Sequence, residues 1–257
     1  MSATYADVDG SDDPDDAVRW QDVVDAWPQV RAYKRRVVEL LGDAEPVLDL
    51  GCGPGGDVVE LGGRAVGVDP SSAMTSAARR RGACVCGGDG HRLPFATGSF
   101  GGVRTDRVLQ HVADPDVVLD EMIRVARPGG VVVLAEPDQE SLVMHVPGVP
   151  RAFTDRLKEL RRDVGYRRGR VASSLSARLV ARRSTAVSVE AFPLLLTDPD
   201  LAFGLPTWPA HWRAEGGFDD ADLAIWDLAM ARLRSGAGGF VYALTFLVVA
   251  GRTRRGS

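Results

Sequence analysis

The sequence predicts an α/β protein: a doubly wound, mostly parallel seven-stranded sheet with helices on both faces and a helical cap. Three observations carry this. Short apolar runs alternate with helical periodicity through the first half of the chain. The first run leads into a glycine-rich turn and then a helix, as in nucleotide-binding folds. The runs are continuously apolar rather than alternating, as strands covered on both faces are. With 257 residues, 45% of them hydrophobic, the chain can build one large domain, or a core with an inserted cap.

Residues 1–16 are rich in Asp, Ser and Gly and carry no packing pattern. Helical periodicity begins near Asp16 with Val18, Trp20, Val23, Val24 and Trp27, and Pro28 breaks it. A second helix spans 30–41 and stops at Gly42. Strands follow at 47–50, 65–68 and 84–86, the first two separated by a short helix at 57–61. A helix carrying Met74, Ala77 and Ala78, capped by Ser71 or Ser72, precedes the third strand. Val103 centres a fourth strand, expected to be short or bent because Gly101 and Gly102 open it. A helix over 115–126 ends at Pro128-Gly129-Gly130, and 131–134 is the fifth strand. Beyond Pro137 come helices at 153–164, 173–183 and 219–234, and strands at 187–196 and 240–250. The expected organisation is an N-terminal helical cap (1–42), a ligand-binding core (43–137), a cap insertion (138–172) and a C-terminal part of the core (173–257). A lid insertion is expected at about 197–238. The N-terminal helices and both insertions should rise over the strand ends as a lid, with Tyr5 and Trp20 closing over the ligand.

Charge excludes some partners. The 31 basic and 35 acidic residues nearly cancel, which favours neither nucleic acid nor a membrane surface. The basic stretch 161–170 reads as a solvated helix end. Lysine occurs only at Lys34 and Lys158 and asparagine nowhere, the skew of a GC-rich bacterial genome. Cys52, Cys84 and Cys86 are too few for a disulfide framework. Cys84 and Cys86 should share one strand face as small buried hydrophobes, and no metal site is expected. The acidic N-terminus is unlike a signal peptide and no apolar run reaches membrane-spanning length, so the expected setting is cytoplasmic.

The glycine-rich turn, Asp49-Leu-Gly51-Cys-Gly53-Pro-Gly55-Gly56, lets backbone approach a ligand at a helix start. Gly51, Gly53 and Gly56 also satisfy the dinucleotide fingerprint, so the turn alone leaves NAD open. Asp49 argues against a pyrophosphate, which a carboxylate would repel, and suits a ligand with an ammonium and a sulfonium. Asp69 ends the second strand, where it can take both ribose hydroxyls under either reading. Asp89 ends the third, where it and Gly90 can read an adenine edge; a turn-forming role is its bland alternative. Three carboxylates at three successive strand ends line one crevice.

These segments, VLDLGCGPG, GVDPSSAM, GGDGHRLPF and VRTDRVLQHVADPDVVLDEMIRVARPGGVVVLAEPD, resemble the class I S-adenosylmethionine-dependent methyltransferases. The likeness is to the ubiquinone/menaquinone-biosynthesis type (type 11) and to small-molecule methyltransferases of actinobacterial specialised metabolism, and it covers roughly residues 30–137. It implies the Rossmann-like methyltransferase fold with an antiparallel last strand, and S-adenosylmethionine as cofactor with S-adenosylhomocysteine as product. It implies that Asp49, Gly51 and Gly53 hold the methionine part, Asp69 the ribose, Met74 the adenine face, and Asp89 with Gly90 the adenine edge. Backbone at Thr105 and Asp106 would meet the methionine end.

Methyl transfer chiefly needs alignment, and a base only where the acceptor proton leaves near the transition state. Candidate bases are His111 and His145, with Glu136 and Asp138 nearby. Tyr33, Trp208, His211 and Trp212 are candidate substrate-lining residues, against the alternative that the aromatics only seal the cap. The acceptor is expected to be a small molecule with an O, N or C nucleophile, and the protein a monomer or homodimer. Two other readings stand: a protein of this fold that uses the cofactor as a scaffold without methyl transfer, and an NAD-dependent oxidoreductase. The long final strand speaks against the second.

Overall fold

The computed structural model describes residues 7–11 and 13–255. Two helices lead in: α1 (Pro14–Asp25), capped by Asp13, and α2 (Pro28–Leu41), which buries Val30, Tyr33, Val37 and Leu41. The core then alternates as β1 (Val47–Leu50), α3 (Gly56–Leu61), β2 (Ala65–Asp69), α4 (Ser72–Arg80), β3 (Val85–Gly87) and β4 (Phe100–Asp106). It continues with α5 (Pro115–Val125), β5 (Ala126–His145), α6 (Arg151–Asp163), α7 (Leu175–Ala181) and β6 (Thr185–Leu196). Two one-turn helices, α8 (Trp208–His211) and α9 (Arg213–Gly216), precede α10 (Asp220–Arg234) and β7 (Val241–Arg252).

The seven strands form one sheet in the order β3-β2-β1-β4-β5-β7-β6. The first five are parallel, and β7 runs antiparallel between β5 and β6. The sheet therefore has the predicted fold class and its antiparallel last strand. Strand order reverses between β1 and β4, and such a switch point leaves a crevice beyond the strands' C-terminal ends. Leu48, Val103, Val132, Val133 and Leu134 are fully buried, which explains why these strands lack alternation.

Three local expectations change. The predicted fifth strand, 131–134, is only the parallel-paired part of a 20-residue strand. β5 runs through Pro137 and, after a register shift between Asp138 and Val143, keeps pairing with β7 to His145. The expected boundary at 137 therefore cuts a strand. Cys84 lies outside β3 and is exposed, while Cys86 is half-buried, so the two do not pack as a buried pair. The bend expected at the start of β4 is present, with a register shift between Phe100 and Gly102. A Cβ at Gly101 would lie 2.8 Å from the Glu45 carbonyl oxygen, so the residue is held small by the loop against it.

Gly55, with φ +78°, ends the glycine-rich turn against the core: a Cβ there would meet Ala78 Cβ at 2.8 Å and Ala83 Cβ at 2.9 Å. Gly55→Ala combines backbone strain with overpacking and should cost roughly 1–3 kcal/mol. A thermal melt should show a fall of several degrees. An unchanged midpoint would mean that the contact between the turn and α4 is looser than described.

Candidate functional site

A cavity of about 550 Å³ opens above the C-terminal ends of β1, β2 and β4. Its walls come from the glycine-rich turn, the loop after β4 and all three segments expected to form a lid. Trp20, Gln21 and Val24 come from α1; Arg161, Tyr166 and Arg167 from the end of α6 and beyond; Phe203 from the segment after β6. Tyr5 lies outside the described residues.

The cofactor half is built by the strand ends. Gly53 N–H donates to Asp69 Oδ2 and Ser71 N–H to Oδ1, both at 2.9 Å. These bonds hold the Asp69 carboxylate at the cavity wall with a lone pair on each oxygen left for a diol. Gly53 has φ +51° and a Cβ on it would meet nothing within 4 Å, so its hydrogen leaves open space on the cavity side. Ser71 Oγ accepts from Met74 N–H and caps α4, placing Met74 in the wall. Asp9 crosses to the same helix start. It accepts from Ser72 N–H at 2.7 Å, Ala73 N–H at 3.2 Å and both serine hydroxyls, which hold its carboxyl down at about 2. Asp89 lies in the wall and accepts from the His91 N–H, while its Oδ1 sits 2.7 Å from His91 Nδ1. His91 Nε2 accepts in turn from the Asp114 N–H, so His91 ties the β3 loop to the start of α5.

Beneath the turn lies a buried charge cluster that the sequence reading did not find. Arg104, 1% exposed on β4, points its guanidinium at Asp57 (2.9 Å), Asp49 (3.4 Å) and Asp106 (3.5 Å). Lys34 of α2 lies 2.8 Å from both Asp25 and Asp57 and 3.5 Å from Asp106. Arg107 meets Asp25 at 2.5 Å and Asp106 at 3.4 Å. Three cations thus face four carboxylates. Burial pushes the Asp49 carboxyl up, and Arg104 and Lys34 hold Asp57 down. Arg107 takes a left-handed backbone (φ 59°), a strained conformation of the kind that gathers at functional sites. No local sequence signal marks it. Arg104 could have been noticed as a charge inside a buried strand pattern.

This placement separates the sequence-predicted residues. Gly51, Gly53, Asp69, Met74, Asp89, Asp106 and His111 line the cavity. Asp49 does not: it is 2% exposed and spends its carboxylate on Arg104. Thr105 is fully buried and donates its hydroxyl to the Leu50 carbonyl, joining β4 to β1. Gly90 packs against Leu50 and Val118. Tyr33 is no substrate wall. Its ring stacks on Phe246 at 4.8 Å and its hydroxyl donates to Asp106 at 2.9 Å. Burial raises that phenol well above its ordinary value, so it stays a donor. Trp208 and Trp212 pack in the core, and the Trp208 indole N–H donates to the Phe203 carbonyl. His211 and His145 are exposed and lie outside the cavity wall.

Arg161 is the largest departure. The stretch 161–170 was expected to be solvated, yet Arg161 is 5% exposed. Its position explains why: with Phe153, Leu157 and Leu160 it falls on the buried stripe of α6. Its Nε donates to Gln139 and Nη2 to the Tyr166 hydroxyl. His111 faces the same space. Burial, then Arg161, Arg107 and Arg167, push its imidazole down to about 3, so it is neutral at physiological pH.

Residues 48–134 match the family model described as "Methyltransferase domain". This segment is similar to methyltransferase domains of the type 11 family. The chain is 41% identical over 113 residues to a demethylmenaquinone methyltransferase of Mycobacterium sp. (strain JLS), covering 42% of this chain and 49% of that protein. An uncharacterised 37.1 kDa protein in transposon TN4556 of Streptomyces fradiae is 44% identical over 155 residues, covering 54% of this chain and 45% of that one. The chain thus spans about half the length of these relatives. Among solved structures, a Thermotoga maritima protein described as a SAM-dependent methyltransferase, possible histamine N-methyltransferase, superposes with a TM-score of 0.61. The identity is 19%, over 99% of this chain and all of that one, a likeness of fold.

Glu136 ends the parallel part of β5 and is fully buried. Its Oε1 accepts from the Val108 and Leu109 N–H groups at 2.7 Å, and Oε2 has no hydrogen-bond partner among the described residues. It clamps the loop after β4 rather than serving as a base. Burial pushes its carboxyl up from 4.5 to about 8. A raised value means the folded state favours the protonated form. The stability this contributes is full below 4.5 and is lost as pH rises through about 8. Glu136→Gln keeps the acceptor and removes the proton, so its stability should fall less than wild type's across that window. Denaturant titrations at stepped pH read the difference, which one proton limits to ~1.4 kcal/mol per pH unit. Parallel curves would mean that Glu136 is ionised in the fold.

Proposed function

We propose that this protein transfers a methyl group from S-adenosylmethionine to a small-molecule acceptor held in the same cavity. The observation that carries this is the cavity at the sheet's switch point, with Asp69 held at its wall and Asp89 and Asp106 beside it. When bound, the cofactor supplies a methyl group on a sulfonium, an electrophile already activated by its charge.

The residues present fit that ligand. Asp69 is placed to accept both ribose hydroxyls, Met74 to lie on the adenine face and Asp89 to read its edge. Gly53 leaves its backbone open to the methionine part. The carboxylates of Asp69, Asp89 and Asp106 in the wall favour a cationic ligand and would repel an NAD pyrophosphate. Asp49 acts at one remove, by fixing Arg104 under the turn. Tyr33 and Arg107 do the same for Asp106. Asp106 borders the cavity between the cofactor half and the acceptor half.

The acceptor half aligns the nucleophile and excludes water. Trp20, Phe203, Leu244 and Phe246 give it apolar walls, and the cap segments close its sides. His111 lies in that wall with Gln139 and Tyr166, and its neutral ring offers the acceptor a polar surface. Its low affinity for a proton makes it a positioning group more than a strong base. An acceptor that is already a good nucleophile asks only for alignment.

Calorimetric titration should show S-adenosylmethionine and S-adenosylhomocysteine binding and NAD failing to bind. Asp69→Ala should weaken both by roughly tenfold or more, from loss of hydrogen bonds to a charged acceptor. Release of S-adenosylhomocysteine on incubation with acceptor mixtures would separate transfer from use of the cofactor as a scaffold. Binding of NAD alone would overturn the proposal.

A further inference from the structure

The acceptor half of the cavity carries a positive charge that no described residue neutralises. Arg161 is 5% exposed, and both of its hydrogen-bond partners, Gln139 Oε1 at 3.1 Å and the Tyr166 hydroxyl at 2.8 Å, are uncharged. No carboxylate among the described residues lies within ion-pair distance of it. The other buried cations near the cavity differ: Lys34, Arg104 and Arg107 each contact two or three aspartates. A buried charge left without a counter-ion is costly, and such groups are normally paired.

The guanidinium is also held in place. It lies over the rings of Trp208 (4.5 Å), Tyr166 (5.1 Å) and Phe203 (5.3 Å), which replace part of its lost hydration. Gln139 is turned toward it by a bond from its own amide to Gln110 Oε1 at 3.1 Å. Nε and Nη2 each donate to one of these partners, whereas Nη1 donates to no acceptor among the described residues, and Arg161 forms part of the cavity wall. The free end of a fixed, planar fork matches a carboxylate. Arg167, exposed at the rim and in no ion pair among the described residues, adds a second positive charge on the way in.

We propose that Arg161 is the anchor for a carboxylate on the methyl acceptor, so that the substrates are small apolar or aromatic acids. The proposal rests on the methyl-transfer reading of the cavity and adds the acceptor's class to it. The carboxylate takes the free guanidinium edge, and the acid's apolar body lies against Phe203, Leu244 and Phe246. Charge then balances at both ends of the cavity: a cationic donor beside the aspartate cluster, an anionic acceptor beside Arg161. The two also attract each other, which favours the ternary complex.

The test uses 3-phenylpropanoate, its uncharged amide and phenyl phosphate as probes, with binding read by ligand-observed NMR with and without S-adenosylhomocysteine. Wild type should bind the carboxylate at least tenfold more tightly than the amide. Arg161→Gln should abolish that preference, and Arg161→Lys should keep part of it. Each variant is first checked for its melting temperature and its affinity for S-adenosylhomocysteine, which should be unchanged. The wild-type comparison needs no variant and stands if Arg161→Gln fails to fold. Equal binding of carboxylate and amide, a preference that survives Arg161→Gln, or tighter binding of phenyl phosphate would overturn the assignment. Failure of S-adenosylhomocysteine to bind would instead defeat the methyl-transfer reading, and the probes read without it would still report on Arg161.

Discussion

The buried cluster around Arg104 is the interaction on which the site depends. It joins three parts of the molecule: the N-terminal helices through Asp25 and Lys34, the β1–α3 turn through Asp49 and Asp57, and the end of β4 through Arg104, Asp106 and Arg107. Removing one partner of such a buried pair costs about 3–5 kcal/mol, because the other charge stays buried and uncompensated. The cluster therefore acts as a lock. The N-terminal helices cannot leave the sheet edge without stranding Lys34 and Asp25, so the wall they lend to the cavity is fixed by electrostatics beneath it.

The same accounting gives the cavity two poles. At the turn, Asp69, Asp89 and Asp106 line the wall; at α6, Arg161 has only neutral partners among the described residues. Neither imbalance helps the empty protein, and both are relieved by ligands of opposite charge. A site with this polarity binds its two ligands in one orientation. The apolar rings between the poles keep water out and strengthen both attractions.

Much of this was legible in the sequence. The change from period 3.6 to short apolar runs gave the sheet, and the glycine-rich turn with Asp69 and Asp89 placed the crevice at the right strand ends. What escaped was side-chain partnership across the fold. Asp49 reads as a ligand group from the motif, but its fate was decided by Arg104, which sits opposite it on the neighbouring strand. Tyr33 was expected to face substrate and instead faces Asp106, 73 residues away in sequence. The aromatic segment Trp208 to Trp212 seals the cap, because its rings have Tyr242 and Arg161 to pack on. Arg161 is hidden by the basic composition of 161–170, whereas its helical phase, shared with Phe153, Leu157 and Leu160, puts it inside.

The most direct test of the central claim is a crystal structure of the protein with S-adenosylhomocysteine. The account predicts both ribose hydroxyls on the Asp69 carboxylate and the ligand's amino acid part over Gly53, beside Asp106. The sulfur should face the space between His111 and Phe246. Ligand bound elsewhere, or lying at the turn with Asp69 untouched, would contradict it.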